Sequence, residues 1–486
     1  MYKKPEIIFI LVAIFIKIFL VNTLSVSFEY DWIYQMWHFI DVEYLKKDLL
    51  KSLYYFHYQP PVFNLFLGLI LKQKVINPES LLYFAFNLMT IGMFGGMFFY
   101  YKARTKRKMI YVLFPVIFLF SPQTIIYENW PIYTWTSSFL ILMGYFCLAK
   151  IKKKLMLKSL MFFSVMALLI LSRSAFHPVF YIFFLLFFSL KYRTNFKEFI
   201  IGATIPSLII LSIMIKNKIE FGFAGVGSGL GFSLYKIVSK KDLDNRIQQS
   251  NGELDDIMKI TPVKSISTYL RNEEAIYSEK HKRIGLLNEE FKSTRKKFGD
   301  EFSVNLGNIH YLDLAKRYQK GALYLIKNYP LEYIERVSKA LIMFFKPSWD
   351  HGFGVENNRN TLAGYMDFFY LESLRLKVEN LIYKVRKPWP LRDGIALSSY
   401  LITPFFYGLC LFLILLRFKN KSLNIFKLEE KYVFSLVTIV YLVSVSSLIE
   451  LAENDRYRVM IDPMVFVTLI SLLIFKLDKK SRVKQA

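Results

Sequence analysis

The chain is 486 residues long, 54% hydrophobic and 17% aromatic, with a formal net charge of +26. Stretches of roughly 17 or more nearly continuous Ile, Leu, Phe and Val are long enough to cross a hydrocarbon core of about 30 Å, which excludes an ordinary soluble domain. The surplus Lys and Arg lie in short links between those stretches, as in cytoplasmic loops, which argues against a nucleic-acid partner; Cys147 and Cys410 sit inside apolar runs, so no disulfide framework or Cys/His metal spacing is indicated.

In chain order, the first expected helix is 6–27, starting inside after Lys3 and Lys4. Its basic start resembles a signal peptide, but no small-residue cleavage site follows, so it reads as a retained first helix. A polar outer segment, 28–60, comes next. The apolar piece 61–72 is too short to span comfortably and is expected to be interfacial or re-entrant. A full span at 80–101 leads to the basic run KARTKRK (102–108), inside. Spans at 109–125 and 131–149 are joined outside by SPQTIIYENW and followed inside by KIKKK (150–154). Spans at 155–172, 174–190 and 198–215 follow, the first ending outside at Arg173 and the second returning to KYRTNFK. The last three are 397–416, 432–449 and 461–477, with RFKNK inside and ELAENDRYRVMIDP outside.

This pattern predicts an all-α polytopic membrane protein with about ten transmembrane helices, both termini cytoplasmic, and a large extracytoplasmic loop after the seventh helix. Three regions result: a membrane module over 1–215 that includes the first outer loop, a mostly helical extracytoplasmic region over 216–395, and the last three spans over 396–486. Within the large loop, Leu331, Ile334, Val337, Leu341 and Phe345 recur at helical spacing between Pro330 and Pro347, predicting a helix resting on the membrane surface.

Charges at helix ends near a bilayer are costly and invite a functional reading. The outer face collects Glu29, Asp31, Asp41 and Glu43 in the first loop, Glu128 in the second, Arg173 and His177 at the next corner, and Glu450, Glu453, Asp455, Arg456 and Arg458 before the last helix. Carboxylates beside arginines suit a reaction in which a base removes a proton while cations hold a phosphate leaving group. Each also has an ordinary reading: Asp31 as a solvated residue, Arg173 as a snorkelling side chain, ENDRYR as a surface ion network, and His177 before Pro178 as structural. The glycine cluster GFAGVGSGLGF (222–232) matches neither GxGxxG nor GxxxxGK[ST] and reads as a flexible loop.

Together these motifs resemble the GT-C membrane glycosyltransferases, the class of the protein O-mannosyltransferases and the lipid A aminoarabinose transferases. Asp31 in EYDWIY stands where that class has an Asp in the first outer loop. FHYQPPVFNLFLG (56–68) resembles its His-Pro-Pro motif, with Gln59 where His is common and His57 two residues earlier. SPQTIIYENWPIYT supplies the acidic Glu128, with Thr134 nearer the following helix; Arg173 matches an arginine ending a mid-chain helix, and RYRVMIDP (456–463) matches an Arg-Tyr-Arg element before a late one.

The resemblance implies inverting transfer of a sugar from a polyprenyl-phosphate donor to a lipid, glycan or protein acceptor outside a bacterial cytoplasmic membrane. It implies Asp31 as general base and Arg173, Arg456 and Arg458 as ligands of the lipid phosphate, since guanidinium donates bidentately to phosphate oxygens. Glu128, Glu29, His57 and Gln59 would orient acceptor or donor sugar, with Glu128 open also to helping hold a divalent metal; no other cofactor is implied. A polysaccharide polymerase using lipid-diphosphate substrates is a second reading, and a lipid or solute transporter a third. The early Asp with the QPP segment argues against the polymerase, and the absence of a repeat argues against the transporter.

Overall fold

The computed structural model describes residues 4–36, 38–150, 155–238, 241–259, 309–346, 356–362, 364–366, 397–451 and 453–483. Much of the expected loop region 216–395, and the links at 151–154, lie outside the described residues. Among the described residues, all regular structure is helical. The chain runs through α1 (Lys4–Thr23), the short α2 (Trp32–Gln35), α3 (Val42–Lys47) and α4 (Leu49–Tyr55), then α5 (Val62–Lys72), α6 (Pro78–Lys102), α7 (Lys108–Leu119) and α8 (Pro122–Glu128). It continues as α9 (Tyr133–Lys150), α10 (Leu155–Ser172), α11 (Pro178–Lys191), α12 (Phe196–Phe221), α13 (Leu230–Ile237) and α14 (Leu243–Gln249). After these come α15 (Ile309–Asn328), α16 (Pro330–Phe344), α17 (Glu356–Thr361), α18 (Leu397–Lys419), α19 (Glu430–Ile449) and α20 (Asn454–Val483).

Among the described residues, six helical segments are long and apolar enough to cross a bilayer: Glu6–Thr23, Pro78–Lys102, Leu155–Ser172, Arg193–Phe221, Glu430–Ile449 and Asn454–Ile474. The pair α7 and α8 makes a seventh if taken as one broken span, bent by 50°. The span expected over 109–125 is thus interrupted. Ser121 caps a new helix by accepting a hydrogen bond from the Thr124 amide at 3.2 Å, and Pro122 occupies the first turn, where its missing N–H costs nothing. The segment expected at 61–72 forms α5, whose 11 residues are short for a crossing. The segment between α1 and α5, expected to be a polar outer loop, is less polar than its composition suggests. Its short helices bury Ile33, Val42, Leu45 and Leu49, while Asp41 and Asp48 cap α3 and α4.

α20 is the most buried of the spans and packs against α9, α16, α18 and α19. α10 and α12 lie along each other, and a side chain at Gly202 would overlap the Met156 carbonyl. Small residues permit such close crossings where lipid supplies no hydrophobic drive between helices. Outward faces are apolar: Ile7, Leu11, Phe15 and Phe19 are exposed along α1, and Ile201, Ile205 and Leu208 along α12. In water such stripes would be a liability; in lipid they are the solvated surface. At one end of the bundle Glu429 pairs with Arg417 and Lys431, and Glu430 with Lys158 and Lys191, so acidic residues at the start of α19 gather cations from the ends of α10, α11, α18 and α19 itself.

Candidate functional site

At the end of the bundle where α10 and α19 stop and α20 begins, a cavity of about 540 Å³ opens between these helix ends, the 57–59 segment, the glycine cluster, α13 and α15. Its walls carry Arg173, Lys236, Glu450, Glu453 and His38, with Tyr58, Tyr133, Tyr441 and Tyr457 as aromatic surface.

Local sequence builds each wall. The sequence SRSAFHP stops α10, turns, and starts α11: the Phe176 amide donates to the Arg173 carbonyl at 3.1 Å, and His177 Nδ1 accepts from the Val179 amide at 3.3 Å before Pro178. Tyr441 Oη fixes this corner, donating to the Ala175 carbonyl at 2.9 Å and accepting from the His177 amide at 2.8 Å. Gln59 Oε1 accepts from the Ser174 amide at 3.3 Å, tying the QPP segment to the same corner. On the far side, Asn454 Nδ2 donates to the carbonyls of Ser446 at 2.7 Å and Glu450 at 3.0 Å. These bonds satisfy the open end of α19 and hold Glu450 and Glu453 in a tight turn.

Arg173 is buried, 4% exposed, with Cζ 4.8 Å from the Tyr133 ring centroid and 4.5 Å from that of Tyr457. Its hydrogen bonds are weak: Nη1 donates to Thr134 Oγ1 at 3.3 Å and contacts Met460 Sδ at 3.1 Å. Among the described residues no carboxylate pairs with it. A desolvated guanidinium without a counter-ion is a strong site for an anion. Lys236 Nζ lies 3.1 Å from Glu450 Oε1. Desolvation alone would lower this lysine, but Glu450 and Glu453 outweigh it and raise it, so it is charged. His38 is stacked on Tyr58 at 5.7 Å with its Nδ1 3.1 Å from Tyr133 Oη, and desolvation pushes it down to about 3, so it faces the cavity as a neutral hydrogen-bonding ring.

Of the residues to which the motif resemblance gives a role, Gln59 and Arg173 line this cavity together, and His177, Glu450 and Glu453, noted among the outer-face charges, line it with them. Arg456 lies one layer behind: its Nη1 donates to Glu453 at 2.6 Å, its Nη2 to Tyr133 Oη at 3.5 Å, and it covers Trp130 at 5.3 Å. Arg458, two positions on and so about 200° around the helix, contacts the Phe345 carbonyl at 3.1 Å and Asp462 at 3.3 Å. His57 sits behind the wall, its Nδ1 2.9 Å from Ser228 Oγ. Asp31 is exposed at the start of α2, outside the lining. Glu29, also outside it, donates its amide to the Asn129 carbonyl at 2.9 Å, and burial raises its carboxyl, with Ser27 opposing and Asp31 adding. Glu128 is buried and paired with Lys17 of α1, which also donates to Asn87 at 3.2 Å. Among the described residues, no group of three or more His, Cys, Asp or Glu could hold a metal ion.

Sequence reasoning missed His38, Tyr58, Tyr133 and Lys236. Lys236 alone left a trace, as the one charge in the apolar helix LGFSLYKI. The glycine cluster, expected to be a flexible loop, forms a cavity wall. A side chain at Gly227 would come within 2.9 Å of the Tyr58 carbonyl, and one at Gly229 within 3.2 Å of the Tyr58 ring. Comparison with protein-family models, curated proteins and solved structures finds no match. The apolar helices and their exposed faces define an all-α integral membrane protein.

Proposed function

We propose that the protein is a membrane glycosyltransferase that moves a sugar from a polyprenyl-phosphate donor to an acceptor hydroxyl or amine on the extracytoplasmic face, in a bacterial cytoplasmic membrane. The observation that carries this reading is Arg173, a buried guanidinium facing a cavity of about 540 Å³ without a carboxylate partner among the described residues. A phosphodiester oxygen there would complete its hydrogen bonding, and negative charge growing on the departing phosphate would strengthen the contact in the transition state. Tyrosine rings and neutral His38 suit the faces and hydroxyls of a sugar. The donor's lipid would lie along the apolar bundle, whose outward helices are its natural solvent. Counting α7 and α8 as one span, and adding α9, α11 and α18, gives the ten crossings of this reading.

In the reaction the acceptor lone pair bonds the anomeric carbon as a carboxylate takes the acceptor proton. The bond from that carbon to the phosphate oxygen breaks with its electrons on the phosphate, and the anomeric centre inverts. The motif resemblance assigns the proton to Asp31. Arg456 supports Arg173 through the shared Tyr133, and Gln59 holds the Arg173 corner.

The test uses purified protein in liposomes loaded with a panel of undecaprenyl-phosphate hexoses and pentoses, with polyprenyl-phosphate release as the readout. Arg173→Ala is expected to lower donor turnover about 100-fold at unchanged protein level, with Arg173→Lys partly active. Wild-type turnover in Arg173→Ala would overturn the anion site. Movement of intact donor across the bilayer without sugar release would favour a transporter.

A further inference from the structure

The cavity contains a carboxylate that the motif resemblance leaves without a role. Glu450 is 4% exposed, closes the end of α19, and lines the cavity with Arg173. Lys236 Nζ approaches its Oε1 at 3.1 Å. Tyr457 lines the same cavity, with Arg173 stacked 4.5 Å from its ring. A proton acceptor must reach the reacting hydroxyl while the phosphate sits on its cation, so both belong in one enclosed space. Asp31, exposed at the start of α2, does not share that space.

We infer that Glu450, rather than Asp31, is the carboxylate that takes the acceptor proton in this cavity. The inference rests on the glycosyl-transfer reading. The Glu450 carboxylate accepts the proton of the acceptor O–H or N–H as that atom bonds the anomeric carbon, and the donor phosphate leaves with the electron pair of the broken bond. Lys236 holds the carboxylate by the ion pair at Oε1, a positioning role. Neutral His38, hydrogen-bonded to Tyr133, is unable to compete as a cation for the phosphate at Arg173.

The surroundings of Glu450 set its titration. Burial raises it, Lys236 lowers it, Glu453 raises it, and Arg456 lowers it. Arg173 follows α10, Tyr58 stands on the 57–59 segment, Tyr457 and His38 face the same space, and Lys316 on α15 completes the charged lining. The base form is lost as pH falls through a raised carboxyl pKa, so transfer has an acid limb above the ordinary carboxylate range. Removing Lys236 removes a lowering influence and moves that limb to higher pH. Removing Glu453 removes a raising influence, leaves Arg456 unopposed, and moves it to lower pH.

The experiment measures the pH profile of sugar release from the active undecaprenyl-phosphate donor by wild type, Glu450→Gln, Glu450→Asp, Lys236→Gln, Glu453→Gln and Asp31→Asn in liposomes. Glu450→Gln is expected to lose at least about 100-fold in turnover, with Glu450→Asp partly active. Lys236→Gln and Glu453→Gln are expected to shift the acid limb in opposite directions by about one unit. A wild-type rate in Glu450→Gln, limbs that stay in place, or loss confined to Asp31→Asn overturns the role of Glu450 while leaving the transferase reading intact. Absence of transfer by wild type with every donor overturns both.

Discussion

Lys17 and Glu128 meet inside the bundle, Lys17 2% and Glu128 1% exposed, with Asn87 sharing the lysine. The sequence placed Glu128 at the outer surface as an acceptor ligand or metal contact because it follows a Ser-Pro loop. The break between α7 and α8 instead carries it inward to α1, and only the partner lysine, more than a hundred positions earlier, explains its burial. Breaking a buried pair leaves one charge uncompensated, at about 3–5 kcal/mol. Glu128→Gln is therefore expected to lower the thermal unfolding temperature in detergent markedly, and Lys17→Met combined with Glu128→Leu to recover most of the loss. Restored stability with restored transfer would assign Glu128 to packing; restored stability without transfer would return it to the chemistry. Arg173 shows the converse. An arginine closing an apolar run was legible, because few other residues end a span with such a charge. The tyrosines that receive it were not, since a tyrosine in an aromatic-rich chain carries no signal of its own.

At the scale of elements, the apolar runs announced most helices within a few residues of their ends, since hydrophobic length and basic flanks are local properties. What depended on tertiary contact was hidden. The short helices of the first loop, and the service of the glycine cluster as a wall, follow from α13 docking on α15. That docking is tight: a side chain at Gly231 would overlap the Ala315 carbonyl backbone. Gly231→Val is expected to push α13 from α15 and displace Lys236 with it. The outcome to measure is a transfer rate reduced about tenfold or more, with Tm lowered by a few degrees, whereas Gly408→Val, on α18 where an added side chain meets open space, leaves the rate unchanged. Equal rates in both variants would show that α13 does not shape the cavity.

For the whole molecule, the basic links and the cavity are expected on opposite sides of the bilayer, as the Lys/Arg asymmetry dictates. Single cysteines at Lys106 and Asn420, in a background lacking Cys147 and Cys410, are expected to react with a membrane-impermeant maleimide only after cells are opened. A cysteine at Asn251, next to α14, is expected to react in intact cells. Reaction of all three from outside would reverse or abolish the proposed arrangement. The amphipathic α16 adds a lateral boundary: Leu331, Ile334 and Leu341 are exposed on it while Ala340 and Phe344 pack inward. Its apolar stripe was legible from spacing alone, whereas its packing against α19 and α20 was not, because nothing local distinguishes a helix lying on lipid from one half embedded in protein.

The pairing of Lys17 with Glu128 also bears on how the chain is made. α1 is synthesised before α8, with its lysine inside an apolar span, where an unpaired charge is costly to leave in lipid. Its partner is over a hundred residues downstream and emerges only after α6 and α7 have been laid down. The newborn α1 thus has reason to stay beside the insertion machinery until α8 arrives, making the order of translation part of the assembly route. Nascent chains arrested before α8 should remain crosslinkable to that machinery through α1, and chains arrested after it should be released.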